Sequence, residues 1–183
     1  VLRALPTRDA VLPIIATLSR ARAEGVTLVD LFARLPKRFS RAALIKQFPR
    51  ATGLSIVKQF SPESELVKSV LFNKNTTSVF RDENNQNLPT DKTQVDALTQ
   101  IKTQLELIFS AAIGFGHITE MNFIDGVRMY FSNGDVAHLR PSGNADELRI
   151  YAVADSQLRA DQIANIAVAE PDGLLRKLAR IAL

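Results

Sequence analysis

The sequence contains no cysteine, which excludes disulfides and thiol chemistry without fixing a compartment. It has only two histidines and no close cluster of carboxylates, so the ligand spacing that a metal ion demands is missing. No apolar run approaches the roughly 20 residues that a membrane-spanning helix needs. No charged-then-apolar leader opens the chain. These absences lead to the expectation of a cytoplasmic protein with no membrane partner.

What is present is the composition of a folded domain. Of 183 residues, 46% are hydrophobic and 23% charged, enough for one ordinary domain or for one domain plus a piece of another. The net charge of +4 suits an anionic partner. Its 23 Lys and Arg are scattered, however, and only "LPKRFSR" is locally dense. That reads as a solvated basic face rather than a nucleic-acid stripe. A small phosphorylated ligand needs far fewer charges.

Periodicity organises the chain. "RDAVLPIIATLSRARAEG" reads as a helix with Asp9 as N-cap, Val11, Leu12, Ile15, Ala16 and Leu18 on one side, and Gly25 at its end. "TLVDLFARL" follows as a short helix capped by Thr27 and stopped by Pro36. The stretch "KRFSRAALIKQFP" is read as the joint to the next unit. Ser61, Pro62, Glu63 and Glu65 form a helix start, which predicts a helix burying Leu66, Val67, Val70 and Leu71. The asparagine-rich run after it reads as a loop with at most one short strand around Ser78 to Arg81. From Thr93, apolar residues at Val95, Leu98, Ile101, Leu105, Ile108 and Ala112 mark one stripe of a helix of about five turns, ended by Gly114 and Gly116. Four runs rich in β-branched and aromatic residues then alternate with Asp125-Gly126 and Asn133-Gly134, dipeptides suited to tight turns. Two closing helices follow, "SQLRADQIANIAVAE" and "PDGLLRKLARIAL". The expected fold class is α+β, a four-stranded antiparallel sheet flanked by helices. Its Val127, Met129 and Phe131 face would be covered by the Thr93 and Ser156 helices.

One connection is longer than a hairpin requires. "HLRPSGNADELR" sets hydroxyl, amide and glycine backbone groups beside Arg140. Convergent N–H donors with a planar guanidinium fork suit phosphate oxygens, although such a turn can equally be only a turn. Here the sequence resembles a known family. "DGVRMYFSNGDVAHLRPSGNADELRIYAVADS" is similar to the C-terminal domain of the α-D-phosphohexomutases, the phosphomannomutase and phosphoglucomutase superfamily. "LPTRDAVLPIIATLSRARAEGVTLVDLFARLPKRF" resembles the end of that family's third domain, in the family's order.

The resemblance implies that residues 1–40 are the last helices of domain three. Residues 41–183 would be domain four, a TATA-binding-protein-like sheet with helices, in which 50–92 stays unassigned. It implies a phosphorylated hexose as partner, mannose or glucose 1- or 6-phosphate or the bisphosphate intermediate. Arg140 would be the main charged contact, with Ser142, Gly143 and Asn144 donating hydroxyl, backbone and amide groups. Arg149 would touch the phosphate or support the loop. Ala145 and Asp146 depart from the family's Glu-Pro, which implies a differently shaped or looser far side. The phosphorylated serine and the Mg²⁺ loop of such an enzyme have no counterpart motif here, so the chain resembles the non-catalytic C-terminal part of an isomerase whose N-terminal domains lie outside it. Two other readings stay open: a basic nucleic-acid-binding domain and an oligomerisation domain. Against the former, the strands show no row of aromatic and basic residues for stacking on bases.

Overall fold

A computed structural model describes residues 10–73 and 78–182. The chain divides into two compact units, one ending at Lys37 and one beginning at Arg38. In the first, α1 (Val11–Glu24) ends at Gly25 in the left-handed conformation, φ +63°. Asp9, expected as its cap, lies outside the described residues. Helix α2 (Leu28–Ala33) begins with a capping box: Thr27 Oγ1 accepts from the Asp30 N–H at 3.1 Å, and Asp30 Oδ2 accepts from the Thr27 N–H at 3.2 Å. That closes two donors which a six-residue helix would otherwise leave to water.

The second unit is α+β. In chain order it holds β1 (Phe39–Lys46), α3 (Arg50–Gln59), β2 (Ser69–Leu71), β3 (Val79–Arg81), β4 (Asn87–Leu88), α4 (Lys92–Ile108), β5 (Ile118–Asn122), β6 (Val127–Phe131), β7 (Val136–Pro141), β8 (Glu147–Ala154), α5 (Gln157–Val168) and α6 (Leu174–Ala182). The sheet has eight strands, not the four expected, in the order β1-β8-β7-β6-β5-β2-β3-β4. The expected meander, β5 to β8, is its centre. All its neighbouring strands pair antiparallel.

Of the extra strands, β3 matches the short strand expected around Ser78 to Arg81, whereas β1, β2 and β4 escaped the sequence reading. Most of the stretch read as a joint is β1, paired with β8 from Phe39↔Ala154 to Lys46↔Glu147. Its core-facing set, Phe39, Ala43 and Ile45, is broken by Arg41, which reaches Asp161 of α5 at 3.7 Å. The strand therefore does not alternate cleanly. The helix expected after Ser61 does not form. Residues 61–68 turn and bend, and β2 follows. Val67 and Val70 are buried as expected, but Leu66 is 70% exposed. Val70 pairs with Met121 on one side and Phe80 on the other, and β-branched residues favour that two-sided setting. Helix α3 was not anticipated, because its sequence RATGLSIVKQ carries an early glycine and little amphipathic contrast. The helix from Thr93 is α4, with Asp91 and Gln94 forming its capping box. It stops at Ile108, and Ala112 belongs to a separate 3₁₀ turn, Ala111–Ile113.

One sheet face is the core. Val127, Met129, Phe131, Ala137, Leu139, Leu148, Ile150 and Ala152 are buried there with residues of α3, α4, α5 and α6. A smaller cluster, Val67, Val70, Phe80 and Leu98, closes the β2–β3 end under α4. The strict in-out alternation of β8 leaves Glu147, Arg149, Tyr151 and Val153 on the other, half-exposed face. Among the described residues, no helix is long and apolar enough to cross a membrane.

Candidate functional site

Strand register decides which polar side chains meet. On the half-exposed face, Arg128 of β6 lies opposite His138 of β7, and His138 lies opposite Tyr151 of β8. Two residues further along, Arg140 of β7 lies opposite Arg149 of β8. The face therefore aligns Arg128, His138 and Tyr151, but His138 is buried and engaged at both ring nitrogens, so the three are not an exposed row for stacking on bases. They come from three strands, and only the pairing aligns them.

Two arginines directly opposite each other repel unless each has a counter-charge. Both have one. Arg140 Nε lies 3.1 Å from Asp125 Oδ1, in the β5–β6 turn. Arg149 donates from Nε at 3.1 Å and from Nη2 at 2.8 Å to one oxygen of Glu147, and that hydrogen-bonded carboxylate holds its guanidinium more firmly protonated than usual. The two carboxylates differ in what they leave free. Glu147 occupies the Nε–Nη2 edge of Arg149 through hydrogen bonds, whereas Asp125 stands beside Arg140 as an ion pair closest at Nε, and the Arg140 guanidinium donates no hydrogen bond to any of the described residues. Arg140 is 44% exposed at the end of its strand.

The loop following Arg140 is held at both ends. The Ser142 N–H donates to the Glu147 carbonyl at 3.0 Å, and Glu147 N–H donates to Ala145 O at 2.9 Å. Ser142 is 4% exposed, and its hydroxyl donates to Asn144 Oδ1 at 3.3 Å. It therefore shapes the loop from inside. Gly143 and Asn144 are exposed, and their backbone N–H groups donate to no acceptor among the described residues. On the far side, expected to be looser or differently shaped, Asp146 ties the loop to the start of α3: its carbonyl accepts from Phe48 N–H at 2.9 Å, and its Oδ1 accepts from Arg50 N–H at 3.1 Å. A carboxylate on the first turn of α3 satisfies an otherwise orphaned donor and complements the helix dipole. Gly53 lets α3 approach closely, since a Cβ there would sit 3.2 Å from Pro141 Cβ.

His138 was not singled out from sequence. It is 7% exposed, and its Nε2–H donates to the Asp125 carbonyl at 2.5 Å. Arginine has no acceptor, so Nδ1 accepts from Arg128 Nη2, 3.4 Å away. This network assigns the neutral Nε2–H tautomer. Burial pushes the imidazole pKa below its ordinary value of 6.5, outweighing the Asp125 carbonyl that raises it. The unfolded chain therefore takes up a proton before the folded one does. Stability from this group is complete above pH 6.5 and falls as pH drops through that value toward the lower folded pKa. Melting temperature should decline more steeply from pH 7 to pH 5 in the wild type than in His138→Gln, which does not titrate. Parallel profiles would mean that His138 makes no such contribution.

Among the described residues, no group of three or more His, Asp or Glu side chains could hold a metal ion.

The site stands within a recognisable stretch of sequence. Residues 83–170, from before β4 through α5, match the family described as phosphoglucomutase/phosphomannomutase, C-terminal domain. A phosphomannomutase of Salmonella muenchen is 27% identical over 180 residues, covering 98% of this chain and 28% of that protein. A phosphomannomutase of Sinorhizobium fredii is 30% identical over 164 residues, covering 88% of this chain and 26% of that protein. The chain thus spans little more than a quarter of the length of these relatives. Its loop, turns and half-exposed arginines lie in the matched region, and through residues 83–170 the chain carries the C-terminal domain of the phosphoglucomutase/phosphomannomutase family.

Proposed function

We propose that this chain is the phosphosugar-binding C-terminal part of a phosphomannomutase or phosphoglucomutase. It grips the phosphate of a hexose phosphate while hexose 1-phosphate and hexose 6-phosphate are interconverted. Residues 1–40 close the third domain and residues 41–183 form the fourth. Phosphoryl transfer and magnesium belong to parts of the enzyme outside this sequence, and the setting is the cytoplasm.

One observation carries the reading: half-exposed Arg140, whose guanidinium donates no hydrogen bond to the described residues, ends the strand that runs into a loop whose Gly143 and Asn144 N–H groups donate to no described acceptor. A guanidinium fork and backbone donors together match a phosphate's oxygens, with no nucleophile required. Asn144 adds its amide. Ser142 acts through its hydrogen bond to Asn144, and Arg149 supports the far strand while adding charge.

In the full-length protein, Arg140→Ala should raise the KM for hexose 1-phosphate by about one to two powers of ten, since charge-assisted hydrogen bonds contribute roughly 1.5–3 kcal/mol. Its melting temperature should stay near wild type, because the Arg140 side chain is exposed. Arg140→Lys should recover part of the loss, keeping the charge without the fork. Ser142→Ala should cost less, roughly 0.5–1.5 kcal/mol. Unchanged KM in all three would end the phosphate-loop reading. Tight binding of a single-stranded oligonucleotide, steeply weakened by salt, would instead favour a nucleic-acid face.

A further inference from the structure

We infer that Asp125 and His138 are positioning residues for Arg140: together they fix its guanidinium so that the Nε edge is held by protein and the terminal edge is presented to an anion. The inference rests on the phosphate-loop reading of Arg140.

The geometry is that of a three-point support. Asp125 is held through its carbonyl by His138 Nε2–H at 2.5 Å, and its carboxylate stands 3.1 Å from Arg140 Nε. His138 and Arg140 are two residues apart on β7, so their side chains leave the same face. One strand therefore grips the backbone of the turn with one residue and meets its carboxylate with the next. Gly126 completes the support: its lack of a side chain lets the turn press against the Leu139 carbonyl, between the two gripping residues. Arg128 fixes His138 in turn by donating to Nδ1, so the imidazole presents its proton toward the turn.

A long exposed arginine samples many rotamers, and ordering it on binding costs affinity. Engaging Nε in advance removes much of that cost while leaving Nη1 and Nη2 free. Asp125 is also a negative charge beside an anion site, which by itself weakens anion binding. The two effects have opposite signs, and this makes the role testable.

The test uses the full-length protein, with inorganic phosphate as probe, titrated calorimetrically at constant pH and salt. Melting temperature is recorded for each variant. Positioning predicts that Asp125→Ala weakens phosphate binding about tenfold although it removes a repulsive charge. Asp125→Asn keeps a polar oxygen beside Nε without the negative charge and should bind as well as wild type or somewhat better. His138→Ala should weaken binding severalfold, and His138→Gln should recover most of it, since its amide N–H can still donate to the Asp125 carbonyl. If the alanine variants do not fold, Asp125→Glu decides: it keeps the charge but displaces the carboxylate, so positioning predicts a severalfold loss and a charge effect predicts none. In the Arg140→Ala background, Asp125→Ala should no longer weaken phosphate binding and should instead strengthen it somewhat, because only the repulsion is left to remove.

Asp125→Ala or Asp125→Glu binding phosphate as tightly as wild type, with Arg140→Ala weakened, overturns the positioning role and leaves the loop reading intact. Full affinity in Arg140→Ala defeats the loop reading itself.

Discussion

Replacing Arg159 by alanine should destabilise the second unit by about 3–5 kcal/mol, the usual cost of stripping one partner from a buried ion pair. Arg159, on α5, reaches Asp135 in the β6–β7 turn, whose side chain is 5% exposed. Its Nε–H donates to Asp135 Oδ2 at 2.9 Å, and Nη2 lies 2.7 Å from the same oxygen, off the hydrogen-bond axis. Nη1 donates to the Ile113 carbonyl at 3.1 Å, and the guanidinium stacks over Phe115, 4.9 Å from the ring centre. One side chain thus ties a helix, a 3₁₀ turn and a hairpin together. Without it, Asp135 would stay buried with the Asn133 amide, 3.0 Å away, as its remaining side-chain donor. Adding Asp135→Asn to Arg159→Ala should recover part of the loss, because the uncompensated charge is then gone. Chemical-denaturation midpoints of the single and double variants measure both effects. A loss below about 1 kcal/mol would place the pair among the weak surface bridges.

The same contacts show what sequence can and cannot disclose. Helix α4 and the β5–β8 meander were legible because their signals are local: a 3.6-residue stripe, and Asp-Gly and Asn-Gly at the turns, where Gly126 and Gly134 do take positive φ. Arg140, Ser142, Gly143, Asn144 and Arg149 could be singled out because they fall within ten consecutive positions. The residues that hold them were not. Asp146 anchors the loop to Arg50, 96 positions away. Arg128 and His138 meet only through the β6–β7 register. Strand β1 was missed because an edge strand needs only one apolar flank, and Arg41 interrupts even that. Asp125 could be read as a turn residue from its glycine neighbour, but its second role depends on Arg140, across a pairing that no local pattern encodes.

Gly126→Ala should be the most damaging single methyl that can be added near the site. Gly126 has φ +98°, and an added Cβ would stand 2.2 Å from the Leu139 carbonyl oxygen. That oxygen belongs to β7, paired on both sides in the sheet centre, so the obstacle is backbone that cannot swing aside. Forcing an alanine into such a conformation costs about 1–3 kcal/mol, and overpacking a fixed neighbour typically about 1–3 kcal/mol more. The combined loss of roughly 2–6 kcal/mol should appear as a large drop in the denaturation midpoint. Gly143→Ala is the matched control. An added Cβ there meets nothing within 4 Å, and its φ lies outside the left-handed region, so stability should change little. The two substitutions should also separate at the site. If Gly126→Ala folds, the Asp125 turn must withdraw from β7, Arg140 loses the carboxylate beside its Nε, and phosphate affinity should fall together with stability. A Gly126→Ala protein with wild-type midpoint and wild-type phosphate affinity would mean that the turn backs away at no cost, and the close approach would then have no part in holding Arg140.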